Sequence, residues 1–398
     1  MKEIMFNGKT DRGRRCRRPS TLAFALLIFE FSAIAQNQPS PTNALFNASL
    51  ISPRAQALIN QTWTNTSFAE GIAVLADRNE TKESRALAME VLQANRKKLN
   101  STEMSQLLSE TTAVAKDKTA DEILSAEAVR TMGNVALTMK ELGQISEAES
   151  KKEAPFLMEA TTNAQRGLQF RASAINSVGI LKIKDASPLL RNILESTSSL
   201  NDPEISRPAC LSLMRIDGEL AVPTLRQVLQ TTADPTVYGT AAFAIGQTKK
   251  TDSMIALMEN QERFPDSGSC DAALVDLDGV ILNVLTNAAD PNLIYAIGAT
   301  KHLWRDGQRE RYTPLLEQLL TTAPPEARKA ALDRLIEEAS TLEFDQEKQQ
   351  LSEILAKIRD QPELADYSER IESRLSATIL QPIPNNSVEV QTLPKGRN

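Results

Sequence analysis

The sequence has almost no histidine: His302 is the only one among 398 residues, and there are three cysteines. A His-Glu-x-x-His zinc motif is therefore absent, and no two cysteines have the spacing of metal ligands. Any Ser-His-Asp or Cys-His site would need His302 itself, for which we expect a structural or surface role. Phosphate-binding Gly-rich loops are absent as well. We therefore predict no catalytic residue, no cofactor and no metal ion, in a protein that is not an enzyme.

Aromatic residues and glycine are scarce too. Aromatics make up 4% of the chain and glycine accounts for only 15 residues, whereas leucine, alanine and methionine carry the apolar content. A sheet core favours β-branched and aromatic side chains, and tight β-turns use glycine. The composition therefore predicts an all-α fold packed through small and unbranched side chains.

A hydrophobic run long enough to span a membrane is absent near the N-terminus. The apolar stretch 22–35 has about 14 residues, short of the ~20 that a transmembrane helix needs. It follows five arginines within 12–18 and ends at Ala33-Ile34-Ala35, small residues suited to cleavage. We predict a signal peptide at residues 1–35 and an exported bacterial protein, periplasmic or secreted, with no stable membrane span after cleavage. A retained membrane anchor is the alternative.

Excess positive charge is missing from the mature chain. Removal of residues 1–35 takes seven basic and three acidic residues from the 45 and 51 of the whole chain, which leaves a net charge of about −10. Non-specific nucleic-acid binding relies on Lys and Arg to neutralise phosphates. The charge therefore predicts that nucleic acid is not a partner.

One helical pattern recurs along the chain. Six segments can be aligned at Arg85, Ser125, Arg171, Arg207, Tyr238 and Arg328. The third position after each start is small, in the order Ala88, Ala128, Ala174, Cys210, Ala241 and Ala331. The fourth and seventh positions are apolar, namely Met89, Val129, Ile175, Leu211, Ala242 and Leu332, and then Leu92, Met132, Val178, Met214, Ile245 and Leu335. Spacings of three, four and seven place these columns on one helix face, and the recurrence predicts a helical solenoid.

A second helix follows the first in the clearest units. The first helices are predicted at 171–182, 205–216 and 236–246, and the second at 188–195, 223–230 and 253–261. The matching apolar sets are Pro188, Leu190, Ile193 and Leu194, then Pro223, Leu225, Val228 and Leu229, then Pro314, Leu316, Leu319 and Leu320. Each proline is predicted to open its helix, where no intrahelical N–H is needed. The aspartates of Asp202-Pro203, Asp234-Pro235 and Asp290-Pro291 are predicted to cap the helices that follow.

The run from Asp202-Pro203 through Ala221-Val222-Pro223-Thr224-Leu225 to Asp234-Pro235 resembles HEAT repeats, in particular the short subtype named after phycobilisome lyases. That subtype opens with Asp-Pro, has an Arg and an Ala-rich first helix ending near Leu-Gly, and begins its second helix with Ala-Val-Pro-x-Leu. Ala174–Gly179 and Ala241–Gly246 match the first-helix half. The resemblance implies an all-α solenoid of antiparallel helix pairs, a HEAT-like superhelix.

These observations predict a simple domain order. After the signal peptide comes a flexible leader at 36–50, rich in Pro, Asn and Ser. A HEAT-like solenoid follows at 51–378, with polar capping helices at both ends and an irregular insertion at 263–310. The proline-containing tail at 379–398 is predicted to be disordered.

Three features keep more than one interpretation. The arginines of the first column, Arg171, Arg207 and Arg328, are expected to pack on a neighbouring repeat and bind a carbonyl or carboxylate, the alternative being a ligand-binding ridge. Asp276-Leu277-Asp278-Gly279 resembles the start of a calcium loop, but lacks the remaining ligands and is predicted to be a capping or surface feature. Pairing of Cys210 with Cys270 is left open.

The resulting hypothesis is an exported, non-enzymatic HEAT-repeat scaffold that binds an unidentified protein partner on its solenoid surface. One alternative is a structural component of a cell-envelope assembly. Another, suggested only by the name of the repeat subtype, is a lyase-like protein that handles a chromophore. The sequence predicts no oligomeric state.

Overall fold

The computed structural model describes residues 50–59, 65–196, 202–303, 309–342 and 344–379, and every regular element in these ranges is a helix. The predicted signal peptide lies outside them, as do the predicted leader and tail apart from Leu50 and Ile379. None of the described helices is both long and apolar enough to cross a membrane. The chain divides into a first unit, residues 1–244 with 263–268, and a second unit, residues 245–262 with 269–398.

The helices of the first unit follow one another through short turns. They are α1 (Pro53–Ile59), α2 (Asn65–Ala76), α3 (Lys82–Ala94), α4 (Ser101–Lys116), α5 (Glu122–Glu141), α6 (Glu147–Ser150), α7 (Ala154–Thr162), α8 (Leu168–Ile180), α9 (Ser187–Glu195), α10 (Pro203–Asp217), α11 (Val222–Thr231) and α12 (Pro235–Gly246). The last two residues of α12 belong to the second unit. Helix α5 packs on α3, α4 and α8, while α8 packs on α7 and α10 and α9 packs on α10 and α11.

The second unit continues the same alternation. Its helices are α13 (Thr251–Asn260), α14 (Ser269–Val275), α15 (Asp278–Leu285), α16 (Leu293–Leu303), α17 (Arg309–Thr322), α18 (Pro325–Ala339), α19 (Phe344–Ile358) and α20 (Ala365–Ile379). Helix α18 packs on α16, α17 and α19, and α17 also packs on α19. Both units thus consist of helix pairs stacked on their neighbours, and the predicted all-α fold of HEAT-like helix pairs is confirmed.

The aligned columns form the core of these pairs. Every one of their members is buried except Met214, which is half-buried. The apolar residues of the second helices, such as Leu190, Leu225 and Leu316, are fully buried as well. Burying a leucine or isoleucine side chain stabilises the fold by about 1.5–3 kcal/mol before entropy is counted. The column residues therefore pack between helices and are not available for binding a partner.

The predicted caps are present where the repeats meet. The Asp202 carboxylate accepts a hydrogen bond from the Glu204 N–H at 3.1 Å, and Asp234 accepts from the Thr236 N–H at 2.7 Å. Asp290 accepts from the Asn292 N–H at 2.8 Å. Such side chains satisfy N–H groups that have no partner within the helix. One proline departs from the prediction: α17 begins at Arg309, so Pro314 lies inside it rather than at its start.

The first helices end in a left-handed residue before the turn to the second helix. Gly143 has a φ of +68° and Gly218 a φ of +58°, but Lys182 occupies this position with a φ of +50°. The Ile183 N–H reaches back to the Val178 carbonyl at 3.0 Å, which closes the turn. A Cβ makes this backbone region unfavourable by roughly 1–2 kcal/mol, and glycine avoids that term.

Lys182→Gly is therefore expected to raise the free energy of unfolding by about 0.5–1 kcal/mol, because the relief of strain exceeds the extra entropy of glycine in the unfolded chain. Urea unfolding followed by circular dichroism would measure the change. Lys184→Gly, two residues on in the same exposed turn but outside the left-handed region, is the matched control and should be neutral or destabilising. A loss of stability in Lys182→Gly would contradict the assigned backbone strain.

Candidate functional site

His302 packs against a carboxylate in the second unit. Its Nδ1 lies 2.8 Å from Oδ1 of Asp271, and its side chain is 12% exposed. Its Nε2 is buried and makes no hydrogen bond within the described residues. A Ser-His-Asp or Cys-His site needs a hydroxyl or thiol bonded to that second nitrogen. The pair therefore matches the carboxylate and histidine of such a site, but no nucleophile bonds His302 within the described residues.

The calcium-like segment is used in helix packing. Asp278 begins α15, and its carboxylate accepts hydrogen bonds from the Tyr312 hydroxyl and, at 3.0 Å, from Arg311 Nη1. Asp276 accepts from Gln247 Nε2 at 2.7 Å, and burial raises the pKa of its carboxyl group. The two carboxylates thus accept hydrogen bonds from different side chains of the protein. No cluster of three or more His, Cys, Asp or Glu side chains suited to a metal ion occurs among the described residues.

The arginines of the first column tie each repeat to the helix before it. Arg85 Nε donates to the Leu75 carbonyl at 2.9 Å, and Arg171 Nε donates to the Thr161 carbonyl at 3.3 Å. Arg328 Nε donates to the Ala323 carbonyl at 2.6 Å. Carbonyls at helix C-termini lack intrahelical partners and attract cations. These bonds agree with the predicted structural role. Arg207 differs, since its Nε donates to the Thr240 hydroxyl at 3.3 Å.

Tyr238 stands at a position where four of the other five repeats carry arginine, and a distant arginine contacts a helix-end carbonyl nearby. Tyr238 is fully buried, and its ring packs on Phe264 with 4.8 Å between the ring centroids. The neighbouring Arg263 donates from Nη1 to the Leu229 carbonyl in the last turn of α11. Residues 263–268 belong to the first unit. The segment therefore supplies the helix-end cation that Tyr238 cannot provide.

A buried charged cluster between α3 and α5 was missed by the sequence analysis. Arg130 binds the Glu127 carboxylate through Nε at 3.0 Å and Nη2 at 2.7 Å. The Thr131 hydroxyl donates to Gln93 Oε1 at 2.9 Å, which joins the two helices. Burial raises the pKa of the Glu127 carboxyl group even with Arg130 beside it. Because these groups satisfy one another, the cluster holds two repeats together and offers no open binding position.

The two cysteines outside the predicted signal peptide are both buried thiols, and no disulfide links them. Burial raises the pKa of the Cys210 thiol to about 12. The thiolate is the reactive form of cysteine. Cys210 therefore packs as a small apolar group in the column of small residues and does not act as a nucleophile.

An open groove lies in the second unit between α17 and α19. Its volume is about 520 Å³, and we call it the acidic groove. It is lined by Glu310, Thr313, Pro314, Glu317, Leu342, Gln346, Gln349, Gln350 and Glu353. Three of these side chains are carboxylates and three are amides, and none is basic. Binding clefts commonly combine a few polar groups with concave shape, so this groove is the candidate binding site.

The lining residues form two matching stripes. On α17 they are Glu310, Thr313, Pro314 and Glu317, and on α19 they are Gln346, Gln349, Gln350 and Glu353. Each stripe has the spacing of zero, three, four and seven that marks one face of a helix. Corresponding members lie one repeat apart in the sequence. The groove is therefore the gap between the same faces of two successive second helices.

The same helix position has the opposite charge in the first unit. Three residues after the shared proline, α9 carries Arg191 and α11 carries Arg226, whereas α17 carries Glu317. Arg191 crosses to α11, where its Nη1 donates to the Thr224 hydroxyl at 2.8 Å. The gap between α9 and α11 is thus bridged by a guanidinium. In the second unit, the corresponding Glu317 and Glu353 line the acidic groove, and Lys357 of α19 bonds Glu317.

Comparison with known proteins gives a remote similarity. No protein-family model and no curated protein matches the sequence. Among solved structures, the chain is similar to the complex of CpcE and CpcF of phycocyanin lyase from Nostoc sp. PCC7120, with 17% sequence identity and a TM-score of 0.36. The alignment covers 80% of this chain and 96% of that chain. The chain folds as HEAT-like helix pairs. A likeness this remote transfers no substrate and no reaction to the HEAT-like chain.

The prediction that the protein is not an enzyme is contradicted by this comparison, because the similar structure belongs to a lyase. The prediction rested on the absence of compact catalytic motifs. Carboxylates on helix faces can transfer protons without forming any such motif, so their absence does not exclude catalysis. We withdraw the prediction.

Proposed function

We propose that this HEAT-like protein is exported and binds a partner protein through the outward-facing side chains of its helix pairs. The observation that carries the proposal is the acidic groove, an open depression between two second helices whose lining is polar. The column residues behind it are buried and unavailable for contact. Stacked helix pairs give extended surfaces that suit peptides and folded proteins.

Export is the second part of the proposal. It is supported by the basic segment at 12–18, the apolar stretch at 22–35 and the small residues Ala33-Ile34-Ala35. Two buried thiols remain after cleavage, and their burial would shield them from oxidation in such a compartment. The proposed location is the periplasm or the exterior of a bacterial cell.

Crosslinking in the native compartment, followed by mass spectrometry, would test partner binding. We expect a reproducible partner whose crosslinks fall on residues of α17 or α19. Fractionation of the same cells should place the protein outside the cytoplasm and show a mature N-terminus after Ala35. Cytoplasmic retention would refute export, and a catalogue without any reproducible partner would refute partner binding.

Chromophore handling is the alternative function, because a phycocyanin lyase is the named activity of the similar complex. Incubation of the purified protein with a bilin separates the two functions. A coloured complex that survives gel filtration, or bilin transferred to an acceptor protein, would favour the alternative. An unchanged absorption spectrum would leave partner binding as the function.

A further inference from the structure

We propose that the acidic groove binds an extended segment of the partner protein that carries two basic residues three positions apart. This inference rests on the proposed function and names the chemistry of the partner. It follows from the length of the groove, the charges along it and the hydrogen-bonding groups between those charges.

The length of the groove sets the size of its occupant. From Glu310 to Glu317 is two turns of α17, which corresponds to about 10 Å along the helix axis. The stripe on α19 has the same length because its spacing is the same. An extended chain advances about 3.1–3.3 Å per residue. The groove therefore takes three to four residues of an extended segment.

The charges decide which segment fits. Glu310 lies at one end of the groove, and Glu317 and Glu353 lie at the other. Lys357 Nζ of α19 bonds the Glu317 carboxylate, whereas Glu353 accepts a hydrogen bond from the neutral Gln349 amide at 2.9 Å and has no cation partner among the described residues. Among the residues that the structure describes, the groove lining includes no lysine or arginine. An acidic segment would be repelled here, whereas a basic residue at each end would find a carboxylate.

The spacing of the carboxylates predicts the spacing of the basic residues. In a polyproline II segment, residues i and i+3 lie on one side and about 9 Å apart, since that helix has three residues per turn. This distance matches the two helical turns between Glu310 and Glu317. The expected recognition pattern is therefore Arg/Lys-x-x-Arg/Lys.

The middle of the groove offers partners for the backbone of such a segment. Gln346 carries an amide that can both donate and accept hydrogen bonds, and Gln349, whose Nε2 donates to Glu353 at 2.9 Å, offers its amide oxygen as an acceptor. Pro314 has no N–H, so the Glu310 carbonyl cannot accept the usual helical hydrogen bond from residue 314. An extended segment has unpaired backbone N–H and C=O groups along both sides. These groups would pair with the amides and the carbonyl.

The test uses the full chain and a labelled peptide of sequence Gly-Arg-Ser-Gly-Arg-Gly, with fluorescence anisotropy as the readout. The triple variant Glu310→Gln, Glu317→Gln and Glu353→Gln should weaken binding at least tenfold. The control variant Glu326→Gln, Asp360→Asn and Glu369→Gln removes three exposed charges outside the groove and should bind like the parent. Far-ultraviolet circular dichroism would verify that both variants are folded.

Three results would overturn the inference. The first is equal weakening by both variants, which would indicate unspecific attraction. The second is failure of the parent chain to bind the peptide at low salt. The third concerns a peptide of residues 9–18 of this chain, in which Arg12, Arg15 and Arg18 are also three positions apart. A tenfold preference for that peptide would assign the groove to the chain's own N-terminal segment.

The crosslinking experiment separates this inference from the proposed function. If the groove variant still captures the same partner as the parent, the groove inference fails and partner binding stands. If the parent captures no partner, the proposed function fails. Loss of capture in the groove variant alone, with capture retained in the control variant, is the expected result.

Discussion

Gly179→Val is expected to lower the free energy of unfolding of the first unit by about 3 kcal/mol, at the upper end of typical overpacking effects. Gly179 faces α10 at the closest approach of two first helices. A Cβ at this position would lie 2.2 Å from Ser212 Oγ and 2.6 Å from Ser212 Cα. The backbone atom cannot rotate away, so the helices must separate. Separation would also break the bond from the Ser212 hydroxyl to the Ile175 carbonyl, now 2.8 Å long.

The measurement needs a probe in the first unit, because two units need not unfold together. Cys210 serves as that probe: it is fully buried in α10 and should react with a thiol reagent only after local unfolding. We expect its labelling rate in urea to rise steeply in Gly179→Val. Gly279→Val is the matched control, since a Cβ there meets nothing within 4 Å. Equal labelling in both variants would show that α8 and α10 do not pack as closely as described.

The same close packing occurs one repeat earlier, between α5 and α8. A Cβ on Gly133 would lie 2.6 Å from Ser177 Oγ, and the Ser177 hydroxyl donates to the Val129 carbonyl at 3.0 Å. Each of these serines faces a glycine and binds a carbonyl of the preceding first helix. Gly133 and Gly179, each eight positions after the start of its repeat, therefore let the helix backbones approach closely.

The fold could be predicted from sequence because its determinants are local and periodic. Nearly all residues of the columns from Ala88 to Leu335 are buried. A spacing of three, four and seven places residues on one face only when the segment is a helix. The caps at Asp202 and Asp234 were predicted for a similarly local reason. The predicted start of α17 was about one turn too late, because Pro314 fits the pattern of a helix start. The helix begins at Arg309, and Pro314 lies inside it.

The candidate site could not be predicted, because it depends on the gap between two helices. Both stripes are visible in the sequence once α17 and α19 are known to be neighbours. Without that knowledge, Glu310 and Gln349 are ordinary exposed helix residues. The replacement of one arginine contact by Arg263 is equally invisible, since nothing near Tyr238 in the sequence indicates which residue reaches the Leu229 carbonyl.

The interaction that crosses from α9 to α11 is the second place where a single change should have a large effect. Arg191 donates to the Thr224 hydroxyl at 2.8 Å, to the Leu220 carbonyl at 2.9 Å and to the Asp217 carboxylate. Ser187 donates to the same carboxylate at 2.6 Å. The Asp217 side chain is only 14% exposed. One guanidinium therefore satisfies three acceptors from two helices and the turn between them.

Arg191→Met is expected to lower the free energy of unfolding of the first unit by about 2 kcal/mol. The methionine keeps the apolar stem, so the loss reports the hydrogen bonds and the partly buried Asp217 left without its cation. Unfolding in urea, with Cys210 labelling as the local probe, would measure it. Lys97→Met removes an exposed cation of the same unit whose side chain makes no hydrogen bond or ion pair within the described residues, and its free energy of unfolding should stay within about 0.5 kcal/mol of that of the parent.

A double-mutant cycle decides whether Asp217 is the partner that matters. Asp217→Asn alone should also destabilise the unit, because Arg191 loses its counter-charge. If the two groups act together, Arg191→Met combined with Asp217→Asn should cost less than the sum of the single changes, with a coupling of about 1–3 kcal/mol. Strict additivity would mean that Arg191 stabilises the repeat through Thr224 and the Leu220 carbonyl alone. Arg191 would then bridge α9 and α11 through hydrogen bonds to uncharged groups, whereas the Glu317 carboxylate at the same position of α17 bonds a cation, Lys357 of α19.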